Sequence, residues 1–394
     1  MRDSPAEGGM PPRYCIVVAA LSARALVHSA HRAGYRVHAI DAFADRDTCS
    51  QADTITRVAT HTDGFDPRAL LAAVEDIRAR EPVAGLVYGG GFDGQPALLE
   101  RLAERSNLLG NPAVVTRAAR DPKGLHALLA GADCPPLART SLRLPRTDQG
   151  RWLVKHRGGC GGLQVRRAEG SDAVGNNEYY QLYRPGTALS ALFLADGSRA
   201  ELIGLHEQWC ADPAVTGTEF AFGGMVSRAD LLPGPGADMQ ALAGRLASVL
   251  RLRGLNGIDC MLGPDGLELL ELNPRPCASI ALYDADHDGG LLHRHLEAVG
   301  GRLPGKSVPQ PRCRGQQVVY APRPIRIADG RHWPAWACDL PRDGTHVLPG
   351  APLCSVRADG DNPTAVRRLL RERAQTLLEQ MPVARQHAAR ACGH

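Results

Sequence analysis

The chain has 394 residues, 44% apolar and 22% charged, and a net charge of +4 from 46 basic and 42 acidic side chains. That size and balance fit a soluble globular protein of two or three domains with ample core, and give no argument for a nucleic-acid or membrane partner. No apolar run approaches the ~20 residues that span a bilayer, and the 11 cysteines are scattered without C-x-x-C pairs, so a cytoplasmic protein without a disulfide framework or zinc ribbon is expected.

Met1–Arg13 is mixed in charge and rich in Pro and Gly, and the apolar run Cys15–Leu21 soon meets Arg24, which reads as a first strand and not a signal peptide. Residues 14–112 then alternate two signals. Strands are expected at Tyr14–Leu21, Tyr35–Ile40 and Val83–Tyr88, and helices at Ala23–Ala33, Pro67–Arg80 and about Gln95–Arg105. Such alternation implies a parallel sheet with helices on both faces. Gly89-Gly90-Gly91 follows a strand but lacks the G-x-G-x-x-G of a dinucleotide loop. Gly110-Asn111-Pro112 breaks the pattern. Asp121 is expected to cap a helix over Pro122–Ala130, with Pro122 in its first turn. Residues 135–225 read mostly as strands and turns, and Ala237–Arg253 as a helix stopped by Gly254. Pro309–Val356 is a run of short strands and turns, Asn362-Pro363 opens an amphipathic helix to about Gln380, and the last ten residues read as a frayed end.

Three segments carry chemistry. Gly257–Pro276 reads GIDCMLGPDGLELLELNPRP, two apolar runs around a Gly-Pro-Asp-Gly turn, which predicts a β-hairpin. Period-2 alternation puts Glu271, Asn273 and Arg275 on one face of its second strand, with Asp259 across from them. Two carboxylates and an amide oxygen are hard ligands that suit Mg²⁺ with phosphate, and Arg275 adds a planar fork for phosphate or carboxylate. Taken alone, an E-x-N on a hairpin reads as solvated acids. Trp152-Leu153-Val154-Lys155 delivers a lysine into His156-Arg157-Gly158-Gly159-Cys160-Gly161-Gly162, where glycine backbone can close around phosphate oxygens. That cluster alone reads equally as a flexible hairpin loop, and it is not a Walker A loop. Lys123 in Asp121-Pro122-Lys123 is the third basic element.

In this order and spacing, an α/β domain, a lysine after Gly-Asn-Pro, V-K with a Gly-rich loop, a hinge and D-x(11)-E-x-N-x-R, the chain resembles the ATP-grasp superfamily over roughly residues 14–300. The resemblance implies a mixed α/β and α+β architecture. It has an N-terminal parallel-sheet domain (14–112), a small lid subdomain (113–186), a large catalytic subdomain (187–305) and a β-rich C-terminal extension with a final helix (306–382). It implies ATP and Mg²⁺ as cofactors, with Mn²⁺ able to substitute. Lys123, Lys155 and the loop Gly158, Gly159, Gly161 and Gly162 would hold phosphates, and the hinge Gln181, Leu182 and Tyr183 the adenine. Asp259, Glu271 and Asn273 would hold metal, and Arg275 with Lys155 would act in catalysis. Two features depart from the pattern. Gln181-Leu182 stands where an acidic hinge residue is common, leaving Glu178 or Ser190 as substitutes, and Cys160 interrupts the glycine loop.

The implied reaction is phosphorylation of a small-molecule carboxylate, followed by attack of an amine, with no nucleic acid or membrane partner. A homodimer is compatible with the resemblance, and no residue pattern specifies one. A bicarbonate-activating carboxylase or carbamoyl-phosphate type and a non-catalytic ATP-binding regulator are the rivals; no M-K-M biotinylation motif or glutaminase triad is present. The turns at Val319–Pro322, Asp339–Pro341, Gly344-Thr345 and Pro349–Pro352 resemble the extension of an ATP-grasp group from methanogens and methylotrophs, linked to pterin or furan one-carbon cofactors, and imply a cofactor-biosynthetic setting. His206 and Glu207 are expected to be ordinary strand residues. The Asp284, Asp286 and Asp288 loop, with His287 and near His293 and His295, reads as a substrate-side loop or helix start and not a calcium site. Arg367, Arg368, Arg371 and Arg373 read as a solvated face.

Overall fold

A computed structural model describes residues 14–130, 135–145, 151–169, 173–303, 305 and 312–381. The readings of Met1–Arg13 and of the last ten residues fall outside them. Among the described residues no helix is long and apolar enough to cross a membrane.

The N-terminal domain is built on β1 (Cys15–Ala20), β2 (Arg36–Asp41), β3 (Thr54–Arg57) and β4 (Leu86–Tyr88), a parallel sheet in the order β3-β2-β1-β4. All six residues of β1 are buried, because a parallel strand covered on two faces must be apolar throughout. Its alternate residues divide between two cores. Val17 and Ala19 pack with Leu70 and Val74 of α2 (Pro67–Arg80) and Leu98, Leu99 and Leu102 of α3 (Pro96–Ala103). Ile16, Val18 and Ala20 pack with α1 (Arg24–Arg32) and with Leu192, Ile203, Leu255 and Leu291 of the large subdomain. The N-terminal sheet therefore shares a core with the large eight-stranded sheet. Asp66 caps α2, accepting from the Ala69 N–H at 2.8 Å. Helix α4 (Ala113–Ala119) was not expected from the sequence. The Asp121 cap on α5 (Pro122–Leu129) was, and it accepts from the Lys123 N–H at 3.2 Å.

The lid is a four-stranded antiparallel sheet of β5 (Thr140–Ser141), β6 (Trp152–His156), β7 (Val165–Arg167) and β8 (Glu178–Leu182), in the order β5-β8-β6-β7. The large sheet has eight strands. β9 (Thr187–Asp196), β10 (Ala200–Cys210), β11 (Phe222–Ser227), β12 (Arg253–Gly263) and β13 (Gly266–Asn273) belong to the central region, with α6 (Pro235–Leu250) on one face. β14 (Cys313–Tyr320), β15 (Ala337–Cys338) and β16 (Pro352–Gly360) extend the same sheet, in the order β13-β12-β9-β10-β11-β14-β16-β15. The C-terminal segment thus continues the large sheet through the β11–β14 pairing and has its own core under α7 (Pro363–Glu379).

One surface expectation changes on this fold. Arg367 ion-pairs with Glu207 at 2.5 Å and stacks on Trp209, and Arg373 stacks on Trp336. The expected solvated face instead pins α7 to the sheet at those positions. Of the two readings of the Asp284–Asp288 loop, the helix start is the one observed: it leads into the helix Gly290–Val299, Asp284 ion-pairs with Arg32 at 2.6 Å and accepts the Leu291 N–H at 2.7 Å, and Asp286 pairs with Arg314 at 2.6 Å.

Candidate active site

The predicted hairpin forms as β12 and β13, with Gly263 facing Gly266 across the turn and Asp259 opposite Glu271. A bulge after Asp259 re-aims the strand next to the site. Ser190 on β9 lies in register with Asp259 and donates to its Oδ1 at 2.6 Å, Gln208 Nε2 reaches the same oxygen at 3.3 Å, and Asn273 Nδ2 donates to Oδ2 at 2.8 Å. Burial first, then the charge of Glu271, pushes the Asp259 carboxyl up.

Glu271 is held by two cations. Lys155 Nζ, delivered by β6, lies 3.5 Å from Oε2, and Arg120 Nη1 donates to Oε1. Burial alone would raise this carboxyl, but Arg120 and Lys155 outweigh it and hold it below the ordinary range. Lys155 also donates to Gln181 Oε1 at 3.2 Å, and Gln181 Nε2 donates to the Leu270 carbonyl at 3.0 Å. Burial opposes the Lys155 charge, and Tyr179, Glu271 and Asp259 more than restore it, so it is a firm cation.

Two residues that sequence reasoning passed over complete this cluster. Arg120, which caps the C-terminus of α4, binds Asp93 and Glu271 and reaches Asn273 Oδ1 at 3.1 Å. Asp93, 3% exposed in the loop after β4, also takes Arg275 through Nε at 2.9 Å. The two guanidiniums outweigh burial and keep the Asp93 carboxyl below its ordinary value. Arg275 Nη2 donates to Asn273 Oδ1 at 3.2 Å. A signal for Asp93 was available: ligands of open α/β sheets bind beyond the carboxyl ends of the strands, and Phe92-Asp93-Gly94 follows β4 there.

A cavity of about 500 Å³ lies between the lid and the large sheet, the size range of small-molecule sites. Lys155, Gln181, Leu182, Tyr183, Asp259, Glu271, Asn273 and Arg275 all line it, as do Gly159, Gly161 and Gly162. Gly158 does not. A Cβ on Gly158 would lie 2.5 Å from the Gly94 Cα, and one on Gly162 1.8 Å from the Phe220 carbonyl oxygen. These glycines let the lid loop close against the N-terminal domain and the large subdomain. Gly161, at φ +67° with nothing within 4 Å of its Cβ position, is the open one. Gln164 Nε2 ties the same loop to the Thr62 carbonyl at 2.8 Å. Gly158→Ala is therefore expected to hold the lid off Gly94, raising the KM for the substrate bound in this cavity about tenfold and increasing protease cleavage within the lid. An unchanged KM and cleavage pattern would overturn this docking role.

Lys123 is exposed on α5 and does not line the cavity; Arg120, three residues earlier, is the cation that reaches Glu271 and Asn273. Of the two substitutes for an acidic hinge residue, Ser190 lines the cavity and Glu178 does not. His206, expected as a satisfied strand residue, is 3% exposed, and its Nδ1 has no partner among the described residues. Burial lowers its pKa to about 3, so it is a neutral ring in the cavity wall. His295 accepts the Leu255 N–H at 2.8 Å and is structural.

The donor set tests the fit of a hard cation. Asp259, Glu271 and Asn273 offer only oxygen, and two of the three are already held by a guanidinium that bridges them, so positive charge is favoured between these side chains.

Residues 125–279 match the ATP-grasp domain family model. No curated protein matches by sequence. In structure the chain is similar to the biotin carboxylase–beta-gamma-ATP complex from Campylobacter jejuni, with TM-score 0.71 and 13% identity over 93% of this chain and 91% of that one. It is similar to L-amino acid ligase from Bacillus licheniformis, with TM-score 0.65 and 13% identity over 93% and 98% of the two chains. It is also similar to N5-carboxyaminoimidazole ribonucleotide synthetase from Thermotoga maritima, with TM-score 0.64 and 13% identity over 93% and 98%. The chain has the ATP-grasp fold, with an ATP-grasp domain matched from α5 through the β12–β13 hairpin.

Proposed function

We propose that this protein is an ATP- and Mg²⁺-dependent ligase that activates a carboxylate as an acyl phosphate and joins it to an amine. The observation that carries the reading is Arg275. It lines the 500 Å³ cavity beside Glu271 and Asn273, and it also lines a second cavity of about 420 Å³ on its far side. One guanidinium between a nucleotide-sized space and an acceptor-sized space is where a phosphoryl group would pass.

In this reading Gln181, Leu182 and Tyr183 edge the adenine end, and Lys155 with the Gly159–Gly162 loop binds phosphates. Asp259, Glu271 and Asn273 would hold the Mg²⁺, or Mn²⁺ in its place, whose role when bound is to neutralise phosphate charge. Arg120 guards those oxygens until then. A carboxylate oxygen of the acid attacks the γ-phosphorus and the bond to the ADP oxygen breaks. The amine then attacks the acyl carbon, phosphate leaves, and the amine proton passes to solvent. Arg275, fixed by Asp93, stabilises charge on the acyl phosphate and its tetrahedral successor. The docked glycine loop excludes water.

A bicarbonate-activating enzyme is the second reading, and the breadth of the second cavity favours a larger acid. The cofactor-biosynthetic setting belongs to the proposal through the turns of the C-terminal extension. The test mixes protein, ATP and Mg²⁺ with panels of acids and amines and measures ADP. Release that requires both an acid and an amine is expected. Release driven by bicarbonate alone supports the second reading, and ATP binding without turnover on any acid would sink the first.

A further inference from the structure

The second cavity lies between α1, the loop after β2, the Arg275–Ala278 segment and the C-terminal extension. Its wall is largely apolar, with Leu21, Phe43, Val318 and Leu353 among the lining residues. Most of its charged groups are already engaged. Arg24 and Asp339 pair at 2.6 Å. Arg57 and Arg342 are exposed, and each anchors its Nε on the loop after β2, at the carbonyls of Ala42 (3.1 Å) and Ala44 (2.7 Å).

Asp45 differs. It is 9% exposed and lines the cavity. It precedes the short helix Arg46–Cys49 without capping it, and no described residue offers its carboxyl a hydrogen bond or ion pair. Its acidic neighbours are satisfied. Asp41 accepts the N–H groups of Ala23, Phe43 and Ala44, and Asp47 those of Asp339 and Leu340. The backbone is also forced here: Ala44 sits at φ +55° and Asp339 at φ +54°, left-handed values that a non-glycine residue keeps only when its surroundings impose them. Asp41 and Arg342 impose the first. A rigid loop thus presents one carboxyl, on a largely buried residue and unpartnered among the described residues, to a cavity that has Arg275 elsewhere in its wall. A buried acid without a partner is costly, and a ligand cation removes that cost.

We infer that the acid activated at Arg275 is an amino acid, or a similar compound with an apolar body, and that Asp45 binds its ammonium group. The fate of the carboxylate in this inference rests on the ligase reading above. The apolar wall takes the body between the two charged ends.

The test is calorimetric titration of the full chain with three matched pairs: L-leucine and 4-methylpentanoate, L-phenylalanine and 3-phenylpropanoate, 6-aminohexanoate and hexanoate. At least one amino compound is expected to bind about tenfold or more tightly than its desamino partner, the strength of a charged hydrogen bond. Asp45→Asn is expected to abolish that preference. No preference in any pair, or a preference that survives Asp45→Asn, overturns the inference. The two readings fail separately. Amine-dependent preference in binding without ADP release on any acid removes the ligase function and leaves the subsite. ADP release that treats the members of each pair alike leaves the ligase and removes the subsite.

Discussion

Glu271→Gln is expected to lower ATP turnover by about 10³-fold while the protein stays folded. The change keeps the side chain's size and one oxygen but removes the charge that Lys155 and Arg120 face. Removing a single group that stabilises transferring charge typically costs about 10²–10³ in rate, and this group is assigned both a metal ligand's role and the anchoring of Lys155. Arg120 retains Asp93 as a partner, so no guanidinium is left buried alone, and the melting temperature is expected to fall by only a few degrees. ADP release under saturating ATP and Mg²⁺, set beside a thermal melt, separates the two effects. Full activity in the variant would sink the metal assignment. Collapse of the fold would show instead that Glu271 serves mainly to hold the lid lysine to the sheet.

The hairpin that carries Glu271 was legible because its determinants are local: a four-residue turn, period-2 spacing and two adjacent strands. Asp259 and Glu271 meet as that spacing requires. Lys155 and Gln181 were legible for a similar reason, since β6 and β8 pair in register with Lys155 opposite Tyr179. Arg120 and Asp93 were not. They lie 27 residues apart, at the end of a helix and in a loop after a strand, and they meet only because the N-terminal sheet docks on the large one. The attention given to Lys123 shows the limit of motif spacing. Within Arg120-Asp121-Pro122-Lys123 the chain leaves one helix and starts another, so three residues separate a half-buried cation from an exposed one. The C-terminal strands were visible as strands, but their place was not, because β11 meets β14 across more than eighty residues of chain. Gly158 could be read as a glycine in a phosphate loop, while its close approach to Gly94 exists only in three dimensions.

Asp45→Asn is expected to stabilise the protein, increasingly so as pH rises. Burial, then the charges of Asp339, Asp41 and Asp47, pushes the Asp45 carboxyl up to about 8, with Arg24 opposing them. In the unfolded chain the same carboxyl titrates near 3.9. Between these values the folded protein holds a proton that the unfolded chain has lost, so the Asp45 contribution to stability falls as pH rises through this window and is flat outside it. Asparagine mimics the protonated acid and does not titrate. The variant and the natural chain should therefore be similar near pH 4 and diverge toward pH 8, with the variant ahead by on the order of 5 kcal/mol. Urea midpoints at half-unit steps from pH 5 to 8 measure the divergence. A gain independent of pH, or a loss at every pH, would show that Asp45 is not the buried, proton-holding acid described. A residue that lowers stability at neutral pH while its neighbours hold it rigidly in place is what a site that trades stability for binding contains. An ammonium-bearing ligand should then reduce the pH slope of the natural chain, because the ligand ionises Asp45 in the folded state, and should leave the slope of the asparagine variant unchanged.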